Sequence, residues 1–180
     1  MPENPTVEGG HHSFAIRTWR QYFDELVLPV YEDYKKDPAS SRHAILSAMT
    51  VYHFREWLWK QRFQDNAGEQ REVFNSSFKG QREFIEHVGN ECPHLRILGD
   101  ICNGSKHFGS KPRNKSKAPK MADTKRQGGI STVGAAYASA FYLGAHVMPY
   151  LCVTLDDRST VRFEEALDAM IEYWRKIRAK

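Results

Sequence analysis

Cysteine is scarce, with only Cys92, Cys102 and Cys152 in 180 residues. They are odd in number and none sits in a Cys-x-x-Cys spacing, which speaks against a disulfide framework and for a reducing compartment. Long apolar runs are missing too. The longest, over residues 133–155, is interrupted by Gly144, His146 and Pro149, so no membrane span is expected. The opening residues, MPENPTVEGGHH, hold no basic region followed by an apolar one, and no signal peptide is expected either. A cytoplasmic location follows from these absences. No internal repeat is visible.

What is present suffices for a core. Hydrophobic residues make up 41% and aromatics 12%, including four Trp and eight Tyr, a composition that argues against disorder. A chain of this length buries about 70% of its unfolded surface as one domain. Residues 1–12 read as a flexible tail and 13–180 as a single domain.

The net charge of +4 is unevenly placed. Residues 106–126 hold eight Lys or Arg against the single acid Asp123, so this stretch is +7 and the rest of the chain −3. Loop residues 109–129 mix Lys, Ser, Pro, Gly and Asn with hardly any apolar residue, which makes them a local contact for a polyanion or a plain solvated loop. Lys111, Arg113, Lys115 and Lys117 are the candidate phosphate contacts. Few aromatics interleave them, so base stacking is not indicated.

Apolar residues at three and four places apart (Trp19, Phe23, Leu26, Val30, Tyr34) mark a first helix, which Pro29 should kink or divide. Asp37-Pro38 reads as a cap with proline in the first turn of a second helix running to about Phe63, apolar around much of its circumference and therefore central. A third helix is expected over about 69–88, stopping near Gly89-Asn90. A fourth opens at Pro93 and keeps Leu95, Leu98, Ile101 and Cys102 in helical spacing to about His107. Residues 130–155 favour strands, although the small residues 134–140 leave a helix open there. The stripe Phe163, Leu167, Met170, Ile171, Trp174 and Ile177 marks the last helix, with Glu164 and Glu165 at its start and Arg175, Lys176 and Arg178 at its end, matching the helix dipole. The fold class is mainly α, a bundle of four or five helices with a small β-hairpin or meander before the C-terminal helix.

Chemistry concentrates in Asp100-Ile101-Cys102-Asn103-Gly104-Ser105-Lys106-His107. In a helix, Asp100, Asn103 and His107 fall at i, i+3 and i+7, so a carboxylate, an amide and an imidazole share one face, with Lys106 alongside. An imidazole moves protons near neutral pH, a carboxylate fixes its tautomer, and a lysine neutralises a phosphate. Those are the parts a metal-independent ribonuclease needs to activate a 2′-hydroxyl. The same residues also suit a plain helix ending, with Lys106 and His107 on the negative pole and Asn103-Gly104 as the stop. On the second helix His53 and Glu56 are i, i+3 neighbours beside Arg55. They read as a second part of the site facing residues 100–107, or as a polar strip with His53 paired to Glu56. His87, Cys92, His94, Cys102 and His107 crowd together without the two close pairs that zinc requires. No metal and no cofactor is expected.

The order of elements, with ICNGSKHF closing a helix, a polar loop, a strand-rich stretch and the final VRFEEALDAMIEYWRKI helix, resembles small bacterial and phage proteins similar to the HEPN superfamily of helical domains. The resemblance rests on Asn103, Lys106 and His107 and on the layout of residues 40–178. It implies a nucleic-acid-directed protein, a ribonuclease in phage defence or a toxin system, or a non-catalytic interaction or assembly module, and it implies a homodimer. By that resemblance His107, Asp100, Asn103 and His53 are the catalytic candidates and Lys106 and Arg55 join the nucleic-acid contacts. Partners are RNA or another nucleic acid, a second copy, or a protein with an acidic surface. The superfamily's Arg, then four to six residues, then His also fits Arg82 to His87, but fourteen Arg and eight His give about two such matches by chance. Its usual place late in the helical array fits residues 103–107 better.

Overall fold

Helix α1 covers residues 19–36 and begins at a capping box, in which the Thr18 hydroxyl accepts from the Gln21 amide and the Gln21 side chain accepts from the Thr18 amide. The computed structural model describes residues 15–106, 130–133, 150–155 and 158–180. Pro29 does not divide this helix in two. Instead α-helical Trp19–Gln21 passes through a π-helical stretch, Tyr22–Val27, into α-helical Leu28–Lys36. Proline lacks an amide hydrogen and clashes with the turn before it. The wider turn, in which the Leu28 amide reaches back to the Phe23 carbonyl, places Pro29 within the first two positions of a fresh α-helical register, where its missing donor is harmless.

Helix α2, residues 41–63, joins α-helical Ser41–Leu58 to a π-helical last turn, Trp59–Phe63. Its far end agrees with the sequence reading and its near end does not. Ser40 is the N-cap, its hydroxyl accepting from the His43 amide at 3.3 Å, while Asp37 closes α1 and Pro38 lies in the turn between. Two capping signals stand three residues apart here, and the serine hydroxyl is the one in range of an unpaired helix amide.

The third helix expected over about 69–88 is two helices, α3 (Ala67–Phe74) and α4 (Gln81–Glu91). Asn75 takes the left-handed conformation at φ 53° and ends α3. That is a position asparagine tolerates better than most residues. The buried Gln70 amide then holds the connection, donating to the Phe63 carbonyl and accepting from the Phe78 amide. This division raises the helix count to six among the described residues.

Helix α5 (His94–Lys106) runs as expected, with Leu95, Leu98, Ile101 and Cys102 buried. A three-stranded antiparallel meander, β1 (Ile130–Val133), β2 (Tyr150–Thr154) and β3 (Thr160–Arg162), precedes α6 (Phe163–Ala179). Ser131 faces Cys152, which faces Arg162 across the second ladder. The stripe predicted for the last helix is buried throughout, and β2 and β3 pack on it.

Phe54 of α2 sits at the middle of the core, its ring centroid 4.9 Å from Phe23 of α1 and 5.5 Å from Trp174 of α6. The Trp174 indole donates to the Val51 carbonyl at 3.2 Å, which pairs its one polar atom in the interior. A second aromatic group, Trp59, Phe63, Phe74 and Phe84, joins the end of α2 to α3 and α4. With each fully buried side chain of this size contributing about 1.5–3 kcal/mol, α2 is the element whose loss the fold could least survive. Among the described residues no helix is long and apolar enough to cross a membrane.

Candidate functional site

Helices α2 and α5 pack closely against each other. A β-carbon on Gly99 would lie 2.7 Å from Cε2 and 2.9 Å from Cζ of Tyr52, so only glycine lets this ring rest on the α5 backbone. On α2 itself, Tyr52 and Arg55 are i and i+3 neighbours, and the guanidinium carbon stands 3.5 Å from the Tyr52 ring centroid. Ring stacking of this kind suits a planar, weakly hydrated cation.

Arg55 is 7% exposed. Nη1 donates to the Tyr52 carbonyl at 2.6 Å and Nη2 to Glu56 Oε1 at 3.2 Å. Its Nε is buried without a hydrogen-bond partner among the described residues. Burial lowers the guanidinium's pKa, with Tyr52 and Glu56 pulling the other way; a guanidinium stays charged all the same. The same Glu56 oxygen stands 3.3 Å from His53 Nδ1, so one carboxylate faces both a fixed cation and an imidazole.

The aromatic wall continues into α1. Tyr22 lies 4.8 Å from Trp57, ring to ring. Its phenol is pushed up to about 12, by burial first and then by the negative field of Glu56 and Cys102. Burial likewise raises Tyr52, opposed by Arg55 and helped by Cys102, Asp100 and Glu56. Tyr52 thus lies in the field of α5's Asp100 and Cys102, and Arg55 in that of Cys102.

Of the sequence-predicted residues, His53 and Arg55 both lie against the Tyr52 ring on α2, while Asp100 follows Gly99 on α5. Asp100 is buried whereas Asn103, one turn on, is exposed, so the face expected to carry both runs from the helix interface to solvent. His107, Lys111, Arg113, Lys115 and Lys117 lie outside the described residues, as does the side chain of Lys106. Arg82 and His87 are each engaged along α4, Arg82 with Glu86 at 3.1 Å and His87 with Glu91 at 3.4 Å.

Cys92, Cys102 and Cys152 are buried and none is in a disulfide. Cys92 Sγ stands 3.9 Å from His94 Nδ1, and no group of three or more metal-ligating side chains converges among the described residues. Tyr22 and Gly99 were not singled out from sequence. Tyr52 had a legible signal, its i, i+3 spacing to Arg55, while the role of Gly99 depends on a crossing that local pattern does not reveal. Chemically, the crossing holds a rigid cation with one unused donor, beside an imidazole oriented by a carboxylate. Compared with known proteins, the chain matches no family model, no curated protein and no solved structure.

Proposed function

We propose that this is a HEPN-like, nucleic-acid-directed protein and that its activity is metal-independent cleavage of RNA, in phage defence or a toxin system. The observation that carries the reading is Arg55, locked on Tyr52 with its Nε unused, on a helix packed against α5, the helix that leads directly into the +7 stretch. In this reading Lys111, Arg113, Lys115 and Lys117 hold the phosphate backbone, and Arg55 and Lys106 contact the phosphate to be cleaved. His107 exchanges protons with the 2′-hydroxyl or the leaving oxygen, Asp100 and Asn103 orient it, and His53 is the second imidazole.

Two tests carry this reading. RNA cleavage by the full chain should persist in chelator and fall by about 10² or more in His107→Ala, the scale of one general acid–base group. Cleavage unchanged in that variant would remove the assignment of His107. The implied homodimer is checked by light scattering at micromolar concentration, where a monomer mass would count against it.

A second reading has its own support. Arg55 and Asp100 are 7% and 6% exposed, which suits a structural pair of helices whose basic stretch alone docks on nucleic acid or an acidic protein surface. RNA binding without turnover, weakening steeply with salt, would favour that non-catalytic module.

A further inference from the structure

Away from the α2–α5 crossing, the first turn of α1, the π-helical end of α2 and the start of α3 border an open surface cavity of about 360 Å³. From these walls we infer that it is a binding site for a phosphate-sized oxyanion, independent of the site proposed above.

Three cations line the cavity, Arg20, Lys60 and Arg62. They differ in what already neutralises them. Arg62 is buried, bonded to Glu69 and, through Nη1, to the Ile177 carbonyl at 2.7 Å, so its charge is spent within the protein. Among the described residues, Arg20 and Lys60 have no carboxylate within ion-pair distance, and both are exposed. Arg20 is steadied by the Trp19 indole, 4.3 Å from its guanidinium carbon, which leaves its N–H fork for a ligand.

The site rests on side chains, because the Trp19, Gln21 and Glu69 amides at the starts of α1 and α3 are already taken by Gln61, Thr18 and Asn66. Lys60, Gln61 and Arg62 are consecutive yet all line one cavity. The π-helical turn explains that, because a wider turn rotates less per residue than an α-turn and keeps three neighbours on one side.

The walls are fixed before anything binds. Gln61 accepts from the Trp19 amide at 2.6 Å and donates to the Arg17 carbonyl at 2.8 Å, bolting α1's first turn to α2. Asn66 and Glu69 hold each other at 3.0 Å. Opposing the ligand is Asp65, the lining carboxylate with no cation in ion-pair range among the described residues. Two available cations against one carboxylate leave a net positive site with a built-in discriminator against weakly charged ligands.

The phosphate could be that of a free nucleotide or of an RNA backbone, and the experiment separates them. Backbone and indole NMR shifts of the full chain are followed during titration with inorganic phosphate, a nucleoside monophosphate and a short single-stranded RNA. Perturbations at Trp19, Arg20 and Lys60 with the small ligands assign a phosphate or nucleotide site; the same shifts with RNA only assign a backbone contact. In either case Arg20→Ala with Lys60→Ala should weaken binding at least about tenfold, the effect of losing one charge-assisted hydrogen bond, and Asp65→Asn should tighten it. No shift at these residues with any probe up to about 20 mM phosphate, where a site with a Kd of about 1 mM would already fill, overturns the inference. So do shifts that survive the double substitution. Because neither Arg20 nor Lys60 belongs to the crossing, loss of cleavage in His107→Ala is unaffected by the outcome.

Discussion

Gly99→Ala isolates the physical basis of the α2–α5 crossing. In a helix interior the exchange ordinarily stabilises by about 1 kcal/mol, since alanine is the better helix former. At this position the new methyl meets Cε2, Cζ and the hydroxyl oxygen of Tyr52 at 2.7, 2.9 and 3.0 Å. The obstacle is a rigid ring, and Arg55 stacked 3.5 Å from its centroid hinders its retreat. Overpacking of this kind costs about 1–3 kcal/mol, so the net change should lie between about zero and a loss of about 2 kcal/mol. With a urea dependence of about 2 kcal/mol/M, the unfolding midpoint falls by up to about 1 M. Gly68→Ala in α3 is the internal control, because its methyl would meet only Asn66 Oδ1 at 3.4 Å, an ordinary contact, and it should raise stability by about 0.5–1 kcal/mol. In a Tyr52→Ala background the sign at Gly99 should reverse, giving a coupling of about 2 kcal/mol. A Gly99→Ala protein as stable as Gly68→Ala, with no coupling to Tyr52, would refute the packing argument.

Two further outcomes follow from the same cluster. Arg55→Ala removes a buried side chain stacked on Tyr52 and should cost about 1–3 kcal/mol by chemical denaturation, mainly through lost packing, with Arg55→Lys recovering little because the stacked fork is lost; full stability in Arg55→Lys would show that charge alone matters. Tyr22, raised to about 12 from 10.0, stabilises the fold fully below pH 10 and loses that contribution as pH climbs from 10 to about 12. Tyr22→Phe should therefore resist alkaline unfolding in that window better than the parent, relative to neutral pH, and an unchanged alkaline profile would place the sensitivity in other tyrosines.

Much of this architecture was legible in the sequence where a period of 3.6 residues repeats several times. The α6 stripe from Phe163 to Ile177 is the clearest case, because seven positions point the same way and dipole charges agree at both ends. Boundaries set by one residue's geometry were less accessible. Asn75 divides α3 from α4 by adopting a left-handed backbone, and the apolar pattern on either side continues as if nothing intervened. Pro29 gave a true signal of irregularity but not its form, since a π-turn and a break answer the same steric demand. Strand β3 is three residues long, too short for alternation to register. At the candidate site, His53, Arg55 and Glu56 could be grouped by spacing within one helix, whereas the approach of Tyr52 to the α5 backbone rests on Gly99, whose lack of a side chain is silent in a pattern of apolar positions.

Filter binding and cleavage of a single-stranded RNA by the full chain, in chelator and across 50–500 mM salt, put the nucleic-acid reading to its most direct test. The account predicts binding whose log–log salt slope is about −0.7 per phosphate held, shallower when Lys111, Arg113, Lys115 and Lys117 are neutralised, and cleavage that His107→Ala abolishes without weakening the binding. Absence of RNA binding at the lowest salt, or a slope untouched by neutralising those four residues, would contradict it.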